Sequence, residues 1–231
     1  MAVLSAPLFV CGAGAVTPGG LSAPQTLAAI RASISSFGPF ALSEPAGAVQ
    51  VAAMVPAHWK LKRSDGEWLQ NMAARAIGEA MEVSSVPAEA TALLVVPPES
   101  FRRHPAYRMV PPHDILAALI RASGFAFHCA SRAIDGGAAA AIGLLGHADE
   151  LLRDATVTQV LLGGVDSLVN QVDMARLARV GRLKSDDNAQ GVLPGEGAVF
   201  VRLTRHADVE GQTAAAIRSY GTAQEEDSVL T

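Results

Sequence analysis

The stretch from Gly136 to Arg153, GGAAAAIGLLGHADELLR, limits the fold more than any other part of the chain. Its first two-thirds are apolar all round. A helix of that kind is expected to be buried on every side and not laid on a surface. Its small residues let neighbouring sheets come close. Its polar end, from Asp149, is expected to emerge into solvent.

A buried helix needs strands to bury it, and the sequence supplies them in alternation with further helices. Pro7 to Cys11 reads as a buried strand running into GAGAVTPGG, a glycine turn around Pro18. Thr26 to Ser33 has helical spacing, with Leu27, Ile30 and Ile34 on one face. Phe37 to Pro56 is irregular or hairpin-like, with alternation near Val49 and Val51. Asp65 to Val83 forms a longer helix with Trp68, Met72, Ala76 and Met81 near one stripe, stopped by Pro87. Thr91 to Val96 is an apolar strand. Phe101 to Pro112 is a loop bearing Arg102, Arg103, His104 and Arg108, and His113 to Ser123 is a second amphipathic helix. Phe125 to Ala130 reads as a short strand. Val157 to Leu162 is a strand entering GGVDS, and Gln171 to Val180 is helical. Arg182 to Gly195 is a loop, and Ala198 to Leu203 and Ala214 to Ser219 end the chain as a hairpin-like pair of strands. This order predicts an α/β layered domain around a mostly parallel sheet.

Composition narrows the function classes. The 231 residues are 50% apolar and only 5% aromatic, so layers of small side chains supply the core. The net charge is −4 and no basic block offers a nucleic-acid footprint. Cys11 and Cys129 form no metal-spaced cluster, and a reducing cytoplasm is the expected setting. The N-terminus has an apolar run without a basic leader, and Pro7 interrupts it, so a buried strand is expected in place of a secretion signal. No run of about 18 apolar residues marks a membrane span. GAGAVTPGG lacks the third glycine and helix start of a dinucleotide fingerprint, so no cofactor is expected.

Three segments together resemble ketoacyl synthases of the thiolase superfamily: GAGAVTPGG near the start, LLGGVDSL (161–168), and RLKSDDNAQGVLPGEGAVFVRL (182–203). The tail, IRSYGTAQEEDSVLT, resembles the family's link between its two halves. The resemblance implies a thiolase-like fold over 1–231: one layered N-terminal half, with a mostly parallel five-stranded sheet and a buried central helix. The family's second half, with its second sheet and two catalytic histidines, would begin about where this sequence stops.

In active members a cysteine opens the buried central helix. The helix N-terminus lowers its pKa, and the thiolate attacks an acyl thioester while backbone N–H groups hold the oxyanion. Here the matching stretch is AIDGGAAAAIG (133–143), and the nucleophile position falls on Ile134 or Asp135. Asp135 reads as an N-cap, or as a carboxylate with chemistry of its own. Asp135, Gly136 and Gly137 are the candidate binding residues. Cys129, upstream on the expected strand, reads as a buried small hydrophobe or as a displaced nucleophile. His128 beside it would point to the opposite face. His104 and His113 read as solvated or capping residues, and His147 as a packing residue. Asp186, Asp187 and Asn188 fit turn chemistry better than a cation site. Glu196, in a tight Gly-Glu-Gly turn, is expected to bond nearby backbone.

Two functions follow. One is a non-catalytic thiolase-fold module that binds a partner. AAIRASISSF (28–37), the Gly-Ala replacement and LLGGVDS are similar to a degenerate thiolase-like family encoded in bacteria beside type VI secretion effectors, which implies an adaptor or chaperone for a secreted effector. The other is an acyltransferase of the 3-oxoacyl-carrier-protein synthase type, completed by another chain. A third possibility is a relic that holds acyl carrier protein or fatty acyl chains without reacting, which a deep apolar tunnel at the start of the Gly136 helix would favour. The resemblance also implies a homodimer through the edge strand near Phe125 to Ala130, and a large apolar face where a second half would pack.

Overall fold

The computed structural model describes residues 2–42, 49–56, 66–98, 112–137, 139–186, 188–209, 212–213 and 215–223. Its centre is a six-stranded sheet. In chain order the sheet uses β1 (Ala2–Val16), β4 (Thr91–Val96), β5 (Arg132–Ala133), β6 (Gln159–Ser167), β7 (Glu196–Thr204) and β10 (Ala215–Tyr220). Two small ribbons, β2–β3 (Phe37–Ala41, Val49–Ala53) and β8–β9 (Asp208–Val209, Gln212–Thr213), stand apart from it. The helices are α1 (Ala23–Arg31), α2 (Gly66–Met81), α3 (Pro112–Ser123), α4 (Ala140–Leu151) and α5 (Gln171–Arg179).

Across the sheet the order is β10-β1-β7-β6-β4-β5. β4 pairs in parallel with β5 and β6, whereas β7 is antiparallel to both β6 and β1, and β10 is antiparallel to β1. Four strands therefore run one way and two the other, so the α/β class and the mostly parallel direction hold. The sheet has six strands in place of the expected five. The final two long strands are not a hairpin: β7 and β10 lie on opposite sides of β1.

The first strand is longer than expected because the glycine turn starts late. Gly12 and Gly14 belong to β1, and the chain reverses only at Thr17–Gly20. Gly14 is needed there, since any Cβ would fall on the Ala76 carbonyl of α2. That close approach brings α2 onto the sheet. Its stripe is as read from the sequence: Trp68, Met72 and Ala76 are fully buried and Met81 nearly so. Each large side chain so buried is worth about 1.5–3 kcal/mol. With α3, this helix forms the larger core, against Leu93, Val95, Leu161 and Phe200.

The opposite face carries α4, which meets β4, β6, β1 and β10 and packs over Leu4, Leu94, Leu162 and Leu203. Three expectations fail here. The helix begins at Ala140 and not Gly136. It is not buried all round: Leu144, Leu145 and Ala148 are buried, whereas Ile142 is 49% exposed, because among the described residues only one sheet lies against it. Asp149, expected in solvent, is buried, because its partners come from distant strands. Ser5 N–H and O–H and Arg205 bind it at 2.5–3.2 Å, and Arg153 one turn later adds a fourth donor group at 2.7 Å.

Phe125 to Ala130 is not a strand. Gly124 (φ 74°) ends α3, and Phe125 and Phe127 then pack on the core with ring centroids 5.7 Å apart. The alternation is real, but backbone pairing with β4 begins only at Arg132. The ribbon near Val49 and Val51 forms as expected, and its Phe37, Val49 and Val51 face solvent. So do Leu27, Ile30 and Ile34 of the α1 region. Most of the basic loop, including His104, lies outside the described residues.

Candidate functional site

The expected nucleophile position lies in the turn between β5 and α4. Ile134 donates its N–H to Val95 O at 2.9 Å, which ties the turn to the end of β4. Its side chain packs toward the α4 core. Asp135 is half-buried, and Gly137 adopts φ 74°, a left-handed conformation that glycine takes without strain. The chain enters the helix through Ala140 N–H to Gly137 O.

Asp135 does not cap α4. The N-cap is Ala139, which has no side chain to cap with, and Asp135 stands four residues before it. The extra glycines push the helix start past the carboxylate. The first turn, Ala139 to Ile142, therefore presents no thiol, hydroxyl or carboxylate to its own N-terminus. The positive potential that would activate a nucleophile is retained in backbone only.

Cys129 does not supply one. It is exposed and sits in a turn, not buried on a strand as expected. The preceding His128 donates its N–H to Thr91 O at the start of β4, whereas the Ile134 turn hangs from Val95 near its end. Four strand residues put those anchors on the order of 13 Å apart. His128 does not diverge from Cys129 across a strand; its Nδ1 accepts the Ala130 N–H at 3.2 Å within the turn.

His147 is exposed, not packed. It lines a hollow of about 180 Å³ with Leu94, Arg132, Glu150, Leu151 and Asp154. Two Thr156 hydrogen bonds, one from backbone and one from the hydroxyl, lower the pKa of Asp154 below its ordinary value. Burial pushes the Asp149 carboxyl up, but Arg205, Ser5 and Arg153 overcome it and hold the pKa at about 2.

Glu196 reaches much farther than its own turn. It is buried and accepts Val55 N–H (2.9 Å), Trp68 Nε1–H (3.0 Å) and the Ser167 hydroxyl (3.0 Å). One carboxylate thus ties β7, β6, α2 and the segment after β3. Asn188 behaves as a turn residue, donating to Gly181 O and Leu183 O; Asp187 lies outside the described residues. Among the described residues no trio of His, Cys, Asp or Glu is placed to hold a metal. No described helix is long and apolar enough to cross a membrane.

An apolar groove of about 390 Å³ opens beside the start of α4, the place where the sequence allowed an apolar tunnel. Gly137 and Ala141 form one wall, and Leu162, Gly164, Val199 and Val201 the floor. Asp166 also lines it, with Oδ1 accepting Ser167 N–H at 2.7 Å. Its residues are spread from Val96 to Val201, so no local motif marks it.

Neither protein-family models nor curated proteins match the sequence. Solved structures do. The ishigamide ketosynthase/chain length factor aligns with a TM-score of 0.61 at 16% identity, over 89% of this chain and 64% of that one. The ketosynthase from module 6 of the bacillaene synthase from Bacillus subtilis 168 gives 0.63 at 14% identity, over 86% and 40%. A type II PKS acyl-carrier protein in complex with its ketosynthase, bound to the hexaketide, gives 0.62 at 14%, over 88% and 58%. The fold is therefore the thiolase-like fold of ketosynthases. The chain spans from 40% to 64% of the length of these three structures.

Proposed function

We propose that this chain is a non-catalytic ketosynthase-like module that works by associating with another protein chain. The observation that carries the reading is the first turn of α4. The surrounding scaffold is kept, with its Glu196 junction intact, while Ala139 to Ile142 offers no nucleophile. A carboxylate at Asp135 would be a poor substitute, because acyl transfer to it gives a mixed anhydride prone to hydrolysis. The proposed partner is a ketosynthase chain, since one similar structure is described as a ketosynthase/chain length factor. The proposed contact is the free side of β5, the edge strand beside β4, where a second sheet would continue this one. A symmetric homodimer through the same edge is the competing assembly. The narrower role, an adaptor for a type VI secretion effector, rests on sequence resemblance alone. A cytoplasmic setting suits the two free cysteines.

The test is co-expression with the ketosynthases of the chain's own genome, followed by analytical ultracentrifugation. A one-to-one complex lost in Ala133→Pro, which puts a proline on the edge strand, is expected. A stable monomer in every mixture would overturn the association.

Acyl transfer by a site completed from another chain is the alternative. The groove at Gly137 and Ala141 favours it to this extent: an apolar hollow opens at the helix start, where an acyl chain would lie.

A further inference from the structure

A second hollow opens between α4 and β5. Its volume, about 180 Å³, is the room of roughly six liquid water molecules. Three parts of the fold build it. Arg132 of β5 is in register with Leu94 of β4, and neighbours in a ladder share a face of the sheet. Leu94 belongs to the core under α4, so Arg132 stands on the α4 side. His147, Glu150 and Leu151 follow one another at i, i+3 and i+4 on α4, which puts them on one face of the helix. Asp154 lines the hollow from the turn after α4.

The lining is apolar at the bottom and charged at the rim. Leu94 is fully buried and Leu151 half-buried, whereas Arg132, His147, Glu150 and Asp154 are exposed. The rim charges have both signs and do not neutralise one another. Among the described residues Arg132 makes no ion pair with Glu150 or Asp154; the ion pairs at this end of α4 are those of Asp149 with Arg153 and Arg205. Asp154 is held in place by Thr156, whose N–H and hydroxyl donate to Oδ1 at 2.9 and 2.7 Å. The same two bonds lower its pKa, so the carboxylate stays ionised.

A guest with one charge fits this rim badly. An amine would be drawn to Glu150 and Asp154 but would bring its charge against Arg132. A carboxylate would pair with Arg132 and face two acidic groups. A molecule carrying both charges meets each with its opposite. We infer that the hollow is a binding site for a small zwitterion, with its carboxylate on Arg132, its ammonium on Glu150 and Asp154, and its carbon skeleton over Leu94 and Leu151. The inference goes beyond the reading of the chain as a partner-binding module and does not depend on it. The rim is open to water, so the affinity is expected to be on the order of millimolar.

Amide chemical-shift titration of the full chain tests it, with L-alanine and γ-aminobutyrate as zwitterions and propionate and propylamine as single-charge controls. At least one zwitterion is expected to shift the amides around Arg132 and Glu150 and to bind about fivefold tighter than either control. Arg132→Gln and Glu150→Gln are each expected to weaken that binding by a similar factor and to leave the thermal transition unchanged, since both side chains are exposed. Binding of neither zwitterion, a control that binds as tightly, or binding indifferent to either variant would overturn the proposal. So would shifts confined to the groove beside the start of α4. Zwitterion binding by a chain that stays monomeric in every ketosynthase mixture would instead defeat the partner-binding reading and leave this site standing.

Discussion

The face that carries α2 and α3 and the face that carries α4 are built from the same strands, yet they are finished differently. On the first, Trp68, Met72 and Ile77 are sealed against Leu93, Leu161 and Phe200, and Glu196 satisfies the indole N–H at the margin. On the second, a polar clamp at Asp149 fixes the far end of α4, while the near end opens on Val199 and an apolar groove. The first face behaves as a domain core. The second is closed where Asp149 clamps the helix end and open beside the turn at Ile134 and Asp135. In this chain a helix start with no thiol, hydroxyl or carboxylate and the exposed Ile142 occur at the same end of α4.

Substitutions can break or sharpen that contrast. The largest effect is expected on the closed face. Trp68→Ala should destabilise by about 3–5 kcal/mol in chemical denaturation, through the cavity and the lost indole bond. Glu196→Ala should cost about 3 kcal/mol, because Val55 N–H, Trp68 Nε1–H and the Ser167 hydroxyl would lose their shared buried acceptor. If either is nearly neutral, the closed face is not the stabilising core.

The clamp is tested by pH. The Asp149 pKa is about 2 in the folded chain against an ordinary 3.8, a depressed value. Its stabilisation is therefore complete above the unfolded value and is lost as pH falls from about 4 through 2. The contribution at neutral pH is at most about 2.5 kcal/mol. Stability measured from pH 5 downward should fall less steeply in Asp149→Asn than in the parent. The smallest effect belongs to the open face, where Val199→Glu should shift stability by less than about 0.5 kcal/mol. A large loss there would mean that the groove belongs to the core and is not an open hollow.

The closed face was legible in the sequence because its signals are local. The α2 stripe repeats at helical spacing, and Thr91 to Val96 is apolar without interruption, as a strand covered on both faces must be. The open face was not legible, because its decisive features join distant segments. Asp149 looks like a solvated helix end until Ser5 and Arg205 arrive from β1 and the end of β7. The start of α4 looked like Gly136 because helical composition begins there, but Gly137 takes a left-handed conformation and delays the helix. Phe125 and Phe127 alternate like strand residues, and packing alone explains their alternation. The missing thiol was legible as an absence. Its placement away from Cys129 was not, since only the hydrogen bonds to Thr91 and Val95 set the two turns at different heights on β4.

The central claim is that the scaffold persists without the reaction, and intact-protein mass spectrometry after incubation with an acyl thioester tests it most directly. The account predicts no acyl adduct, apart from slow modification of the exposed Cys129 at the rate of a free thiol. Rapid stoichiometric acylation at Asp135 or Cys129 would contradict it.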